Sequence, residues 1–208
     1  MIAILSAPSN LGLRPPEPGG VPGTAKAPEA LRAAGLYRRL AEEVGAIDAG
    51  LVLAGRYVDD DDRRPAGRIR NQDAILDHTA RLASRIDDLV GEGHAPLVLG
   101  GDCSILLGPA LALAGTGAGL VHLDGHTDFR HVGSAGPVAS LGGEDLAAVV
   151  GLHLPAISDI DGRGPYVAPD RAAHLGCRDD DGNAAEAAGV LGAVVPASRA
   201  MRLDPGEA

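Results

Sequence analysis

The chain alternates short, continuously apolar runs with longer stretches in which apolar residues recur every three or four positions. An apolar run without alternation is typical of a strand that is covered on both faces of a sheet. The pattern predicts strands at residues 2–7, 49–54, 95–100, 118–124, 172–177 and 193–197. Helices are predicted at residues 27–44, 70–91 and 104–114, after residue 143, and near residues 184–191.

The clearest predicted helix, residues 70–91, places Leu82, Ile86 and Leu89 on one stripe, with charged side chains opposite. Alternation of strands and helices is typical of a parallel sheet with helices on both faces. We therefore expect an α/β fold, a three-layer αβα arrangement around a mainly parallel sheet. At 208 residues the chain fits one domain, which we place at residues 1–208.

Composition and charge exclude several classes of function. The formal net charge is −10 and no basic stripe is present, so we expect neither a nucleic-acid nor a membrane partner. The acidic run at residues 59–62 is expected to be a solvated loop, with a calcium site as the weaker alternative. Cys103 and Cys177 are too few for a disulfide scaffold, and the N-terminus does not resemble a signal peptide, so a cytoplasmic setting is expected.

Candidate chemistry appears where the predicted strand at 118–124 ends. Asp124, His126 and Asp128 occupy every second position of the run Asp-Gly-His-Thr-Asp. In an extended segment alternate side chains point the same way, so these three would converge on one side. Such a set could hold a divalent metal ion. A polar loop at a strand end is the competing interpretation, and the run alone does not decide between them.

A second motif, Leu-Gly-Gly-Asp-Cys-Ser at residues 99–104, follows the preceding predicted strand. With both motifs the chain resembles the arginase, agmatinase and formiminoglutamase family, the ureohydrolases, whose signatures are G-G-D-H-S and then D-A-H-x-D. Residues 3–12 and 19–36 also resemble the family's first strand, glycine-rich loop and first helix, and residues 174–178 resemble a later strand that ends in Gly-x-Arg. The resemblance covers nearly the whole chain and implies an arginase-like fold.

The resemblance implies a centre of two Mn²⁺ ions bridged by hydroxide, which attacks a guanidino or amidino carbon. Asp124 would bridge both ions, Asp128 would bind the first, and His126 the second. Cys103 stands where the family has a further histidine ligand. As a thiolate Cys103 would favour Zn²⁺ or Fe²⁺, as a neutral thiol it would bind weakly, and as a small buried residue it would not bind at all. We expect weak or absent ligation. Asp102 would orient a ligand or cap the turn.

A third family motif, S-x-D-x-D-x-x-D-P, would supply two more aspartates, and the chain has no match to it. Ser158-Asp159-Ile160-Asp161 lacks the spacing, and Leu203-Asp204-Pro205 has no D-x-D before it. We therefore expect the chain to be C-terminally incomplete, lacking the last strands of the family's fold. We also expect it to hold one divalent ion or none.

The proton-shuttling histidine that the resemblance implies has no matching motif. His131 is the candidate for this catalytic role, but a loop histidine without such a role is favoured, and the same holds for His153. Glu144 would face the site or begin a helix, and the helix is favoured. His122 and His174 lie on predicted strands and are expected to be structural.

The resemblance implies a ureohydrolase that cleaves a C–N bond in a small guanidino or amidino substrate, such as arginine, agmatine or formiminoglutamate. An inactive relative that acts by binding or assembly, with one metal ion or none, is the first alternative. A fragment of a longer enzyme is the second. Family members commonly form trimers or hexamers, so a homo-oligomer is expected.

Overall fold

The computed structural model describes residues 1–134 and 138–202. The chain divides into two compact units. The first comprises Met1–Ala112 with Ala139–Gly142, and the second comprises the described parts of Leu113–Val138 and Gly143–Ala208. Among the described residues no helix is both long and apolar enough to cross a lipid bilayer. The single domain over residues 1–208 stays a prediction.

The first unit is built on a three-stranded parallel sheet in which the first strand is central. Its strands are β1 (Ile2–Ala7), β2 (Ile47–Leu51) and β3 (Ala95–Gly100). Its helices are α1 (Ala27–Ala33), α2 (Leu36–Val44), α3 (Gln72–Gly91) and α4 (Leu107–Leu113). The central strand is buried along its length, as its unbroken apolar run predicts.

Local sequence explains where these helices begin and end. Pro28 lies in the first turn of α1, where a missing backbone N–H costs nothing. The predicted helix at 27–44 is two helices, because Gly35 adopts the left-handed conformation with φ 88° between α1 and α2. The apolar stripe of α3 is buried as predicted, and a Cβ on Gly108 would lie 2.5 Å from the Leu82 side chain. Glycine at this position therefore lets α4 approach α3 closely.

The acidic run at residues 59–62 is a loop, as expected, with Asp61 and Asp62 exposed to solvent, but it also carries ion pairs that the sequence pattern did not predict. Asp59 and Asp61 form ion pairs of 3.0 and 2.5 Å with the fully buried guanidinium of Arg70. Asp60 pairs with Arg64 at 2.7 Å and accepts the backbone N–H of Asn71. The chain thus supplies its own cations to this loop, which fixes it next to the start of α3.

The second unit holds another three-stranded parallel sheet, with the middle strand in sequence at its centre. Its strands are β4 (Leu120–Leu123), β5 (Ala172–Leu175) and β6 (Ala193–Val195). Its helices are α5 (Asp145–Val149), α6 (Pro155–Ser158), α7 (Ala184–Ala188) and α8 (Ala197–Ala200). Short 3-10 segments in the chain are Gly23–Lys26, Cys103–Leu106, Leu141–Gly143, Ile160–Gly162 and Pro169–Arg171.

The α/β class with parallel strands is therefore confirmed, but two strands that we expected to be covered on both faces are not, and one of them is β2, which is exposed at four of its five residues. We expected the strand at 118–124 to be covered on both faces, but Val121 and Leu123 of β4 are 64% and 73% exposed. Their exposure alternates with the partly buried Leu120 and His122, so β4 buries one face only.

Candidate metal centre

The Gly-Gly-Asp-Cys-Ser loop lies in the first unit, directly after β3. A Cβ on Gly101 would lie 2.1 Å from the carbonyl oxygen of Ser9, so the loop requires glycine there. Asp102 is buried, and its carboxylate accepts the Gly12 backbone N–H at 2.7 Å and the Ser104 hydroxyl at 3.0 Å. These bonds support the turn-capping role for Asp102. Cys103 is half-buried at the start of the 3-10 segment.

Asp124, His126 and Asp128 belong to the second unit, and the segment that carries them is not extended. β4 ends at Leu123, and the Asp124 carboxylate then accepts the backbone N–H of His126 at 2.8 Å. This bond from a side chain to the backbone two residues on forms a turn, which replaces continued strand pairing. Asp128 has φ 46°, in the left-handed region. The expectation that alternation would align the three side chains is therefore wrong for this backbone.

The turn still brings two of the three predicted donors together. Carboxylate oxygens of Asp124 and Asp128 lie within 4.8 Å of each other. The Nδ1 atom of His126 lies 3.5 Å from Asp124 Oδ1, and its side chain is 54% exposed, whereas Asp128 is buried. The result is a pair of carboxylates with an imidazole on the solvent side.

The loop is held in place from β5. Thr127 donates its hydroxyl to Asp181 at 2.7 Å and its backbone N–H to the same carboxylate at 3.1 Å. The backbone N–H of Arg178 is bonded to the Gly125 carbonyl at 3.0 Å. Sequence reasoning missed Asp181, although the run Arg-Asp-Asp-Asp that follows β5 was the signal for it.

Two further side chains of the second unit lie beside Asp128 and a third contacts one of them, and the sequence had not assigned these three to the site. Asp145, the first residue of α5, is 1% exposed and in hydrogen-bond contact with Asp128. His122 Nε2 lies 4.0 Å from Asp145 Oδ2. Its Nδ1 lies 2.8 Å from Nδ1 of His174, its register neighbour on β5. Only the β4–β5 pairing and the position of α5 bring these groups together.

The electrostatics of this cluster reflect its burial and its excess of carboxylates. Burial, followed by the charge of Asp124, raises the pKa of Asp128 to about 7. Burial, followed by the charge of Asp128, raises the pKa of Asp145 well above its usual range. Burial and the neighbouring His174 lower the pKa of His122 to about 4. Carboxyl groups this close retain a proton unless a cation compensates their charge.

The donor set in the second unit fits a divalent ion of the kind that the resemblance implies. Asp124 and Asp128 supply carboxylate oxygens and His126 supplies an imidazole beside Asp124. Carboxylate and imidazole suit Mn²⁺ and similar ions. In the described part of the chain, no Lys or Arg forms an ion pair with either aspartate, so the cluster's charge is left for a cation to balance.

The other candidate residues have structural partners. His131 bonds Glu186 at 2.8 Å through Nε2 and receives the Gly133 backbone N–H at 3.0 Å on Nδ1, which supports the loop role. His153 and Glu144 form a fully buried pair at 3.1 Å, and Glu144 immediately precedes α5.

Asp159, from the incomplete Ser-Asp-Ile-Asp motif, accepts the Gly164 backbone N–H at 2.8 Å, which is turn chemistry. The Leu-Asp-Pro run at residues 203–205 lies outside the described residues.

Comparison with known proteins adds independent information. The model of the arginase family matches residues 2–198. An arginase of Bacillus caldovelox is 32% identical over 191 residues, which cover 86% of this chain and 58% of that protein. An arginase of Brevibacillus brevis is 33% identical over 111 residues, which cover 52% of this chain and 37% of that protein.

Solved structures give the same result for the fold. The arginase structure from B. caldovelox superposes with a TM-score of 0.81 at 28% identity, over 97% of this chain and 66% of that one. Trypanosoma cruzi formiminoglutamase, solved with Mn²⁺, superposes with a TM-score of 0.64 at 20% identity, over 97% and 61%. This chain thus spans about three-fifths of the length of these longer matches.

Proposed function

Because this chain belongs to the arginase family, we propose that it is a metal-dependent hydrolase that cleaves a C–N bond in a small guanidino or amidino compound. Arginine, agmatine and formiminoglutamate are the substrates to test, and the arginase names of the relatives put arginine first. The observation that carries the proposal is the Asp124–Asp128 carboxylate pair at the end of β4, inside a family motif.

We assign Asp124, Asp128 and His126 as donors to a divalent ion, with Mn²⁺ as the expected metal and Cys103 as a further candidate donor. When bound, the ion lowers the pKa of water and stabilises negative charge that develops during attack on the amidino carbon. Asp128 would bind as a carboxylate, and because its pKa is raised to about 7, binding near neutral pH would have to displace a proton from this group. The exposed His126 leaves one side of the cluster accessible to a small molecule.

The protein's own hydrogen bonds would keep this arrangement in place during turnover. Thr127 and Asp181 hold the loop between the two aspartates, so the carboxylates need not be reoriented for each reaction. We assign no proton shuttle to His131, since Glu186 and Gly133 occupy both of its ring nitrogens. A cytoplasmic setting and a homo-oligomer remain parts of the proposal.

Urea or formamide release from the three substrates, measured with Mn²⁺ added, tests the proposal. Hydrolysis of one substrate by the parent chain, lost in Asp124→Asn, would support the proposal. The matched control is Asp170→Asn, which changes an exposed aspartate of the same unit. Metal binding without release of product from any of the three would contradict it.

The second candidate function is metal-dependent binding or assembly without catalysis. Cys103 favours it, because a cysteine stands where the family signature has a histidine ligand. Cys103→His separates the two candidates. If position 103 binds metal, this change raises Mn²⁺ affinity and product release together; unchanged affinity would give Cys103 a packing role.

A further inference from the structure

We propose that His122, Asp128 and Asp145 form a divalent-cation site within the second unit, a ligand set that the family's signatures do not contain. Asp128 is shared with the family motif, whereas His122 and Asp145 lie outside it. The inference concerns binding of a cation and does not rest on the proposed hydrolysis.

The geometry of the three side chains suits a single ion. One donor atom from each lies within 4.8 Å of the others, and His122 Nε2 is 4.0 Å from Asp145 Oδ2. Two donors that bind one ion at about 2.1 Å each can be up to about 4.2 Å apart. The group could therefore close on an ion with small side-chain movements.

An unsatisfied buried atom points to a ligand at this place. Asp145 is 1% exposed, and its Oδ1 atom has no hydrogen-bond partner in the described structure. A buried carboxylate oxygen without a partner is costly, because folding removes its water and returns nothing. In the same part of the chain no Lys or Arg pairs with Asp128 or Asp145. A bound cation would supply the missing partner.

The surrounding elements hold the donor side chains in place, as metal-binding side chains in proteins are usually held. His122 is held by the 2.8 Å ring-to-ring bond to His174, which occupies Nδ1 and leaves Nε2 on the side of Asp145. Metal-binding histidines commonly have their second ring nitrogen fixed in this way. The Asp128 carbonyl accepts the Ala147 backbone N–H at 3.3 Å, which ties the Asp128 loop to α5.

The donor types indicate the class of ion. One imidazole and two carboxylates suit Zn²⁺, Mn²⁺ or Fe²⁺, whereas Ca²⁺ and Mg²⁺ prefer sites made of oxygen atoms alone. Burial of two of the three donors also excludes a loosely hydrated surface ion.

The test is Zn²⁺ and Mn²⁺ binding to the full chain at pH 7.5 by equilibrium dialysis. The variants are Asp145→Asn and His122→Gln, with Asp170→Asn as the control for an exposed aspartate of the same unit. Circular dichroism and the unfolding midpoint without metal report whether each variant folds. Asp145→Asn keeps the shape of the side chain, so we expect it to fold.

We expect Asp145→Asn and His122→Gln each to weaken binding at least about tenfold, while Asp170→Asn binds as the parent chain does. Asp145→Asn should also abolish the rise in unfolding midpoint that Zn²⁺ causes, without lowering the midpoint measured without metal. Wild-type affinity in Asp145→Asn, or no Zn²⁺ binding by the parent chain, would overturn the site.

A second measurement does not depend on the His122 variant. In the Co²⁺ complex of the parent chain, nuclear magnetic resonance identifies histidine ring protons that the paramagnetic ion shifts strongly. Strong shifts of the His122 ring protons support the site, and their absence in the Co²⁺ complex overturns it. If the parent chain binds the ion at this site but hydrolyses none of the three substrates, the proposed function is refuted and the inferred site stands.

Discussion

In the first unit, Asp59, Asp60 and Asp61 pair with Arg64 and Arg70, whereas in the described second unit Asp128 and Asp145 pair with no Lys or Arg. The hydrogen bond from Arg70 lowers the pKa of Asp61, while burial raises that of Asp128 to about 7. Both clusters contain several aspartates, but their negative charge is therefore balanced differently. Where arginines of the chain balance the charge, the acidic run has a structural role. Where they do not, bound protons or a metal ion must balance it.

The largest expected effect comes from removing the cation of the first cluster. Arg70→Ala should lower the free energy of unfolding by about 3 kcal/mol, because it removes the cation that pairs with Asp59, takes one of the two arginines from Asp61 and leaves a buried space unfilled. Arg81→Ala, which removes an exposed pair with Asp77, should change it by less than about 1 kcal/mol. Urea denaturation measures the change in the free energy of unfolding for both variants. Equal changes would mean that burial of the Arg70 ion pairs adds nothing to stability.

The second cluster should respond to an added cation instead. A divalent ion at 100 times its dissociation constant should raise the free energy of unfolding by about 2.7 kcal/mol, since it binds the folded state. Asp128→Asn should lose this gain, and Arg70→Ala should keep it. A gain that persists in Asp128→Asn would locate the ion elsewhere.

The dependence of stability on pH should have opposite signs in the two clusters. The raised pKa of Asp128 means that the metal-free folded state binds a proton that the unfolded state has released. That contribution is complete below about pH 4 and is lost as pH rises towards 7, at up to about 1 kcal/mol per pH unit. The lowered pKa of Asp61 acts oppositely, and its contribution is lost as pH falls below about 4.

Denaturation of metal-free protein at several pH values separates the contribution of Asp128 to stability from that of Asp61. Asp128→Asn should reduce the decline between pH 4 and 7, since Asp145 also has a raised pKa and contributes in the same direction, and Asp61→Asn should leave that decline unchanged. A decline of the same size in Asp128→Asn would show that another group causes it.

The smallest expected effect compares the two amide substitutions at pH 8 without metal. Asp145→Asn should stabilise the fold by up to about 1 kcal/mol, because an amide stays uncharged beside Asp128 and removes the cost that burial imposes on ionisation of the carboxyl. Asp61→Asn should destabilise it by less than about 1 kcal/mol, since its ion pairs are half-exposed. The result to compare is the sign of the change in the free energy of unfolding for each variant. Destabilisation by both variants would contradict the predicted difference between the two clusters.

Much of the fold could be predicted from the sequence because buried parallel strands read as unbroken apolar runs. β1 and β3 match residues 2–7 and 95–100 as predicted. The break between α1 and α2 was missed because Gly35 adopts a positive φ, which a local apolar pattern does not report. The exposed face of β4 was missed because apolar residues such as Leu123 read as buried.

The candidate site was predicted less completely than the fold. The motif identified Asp124 and Asp128, and the structure brings them together through a turn rather than an extended strand. His122 and Asp145 were not identified, because they are 23 residues apart in sequence and meet only through the β4–β5 register and the placement of α5. Contacts of this kind depend on tertiary structure.

The acidic run at residues 59–62 shows the same limit. Its charges predicted a solvated loop, and Asp61 and Asp62 are exposed, but the pairing with Arg70 was missed because Arg70 lies eight residues beyond the run and becomes its buried partner only after folding.

Metal content after dialysis against Mn²⁺ or Zn²⁺, measured by elemental analysis on the parent chain and on Asp128→Asn, tests the central claim most directly. Asp128 belongs to both the family motif and the inferred ligand set. The account predicts a bound divalent ion in the parent chain and none in Asp128→Asn, with the variant folded. No ion in the parent chain, or an ion retained by Asp128→Asn, would contradict the account.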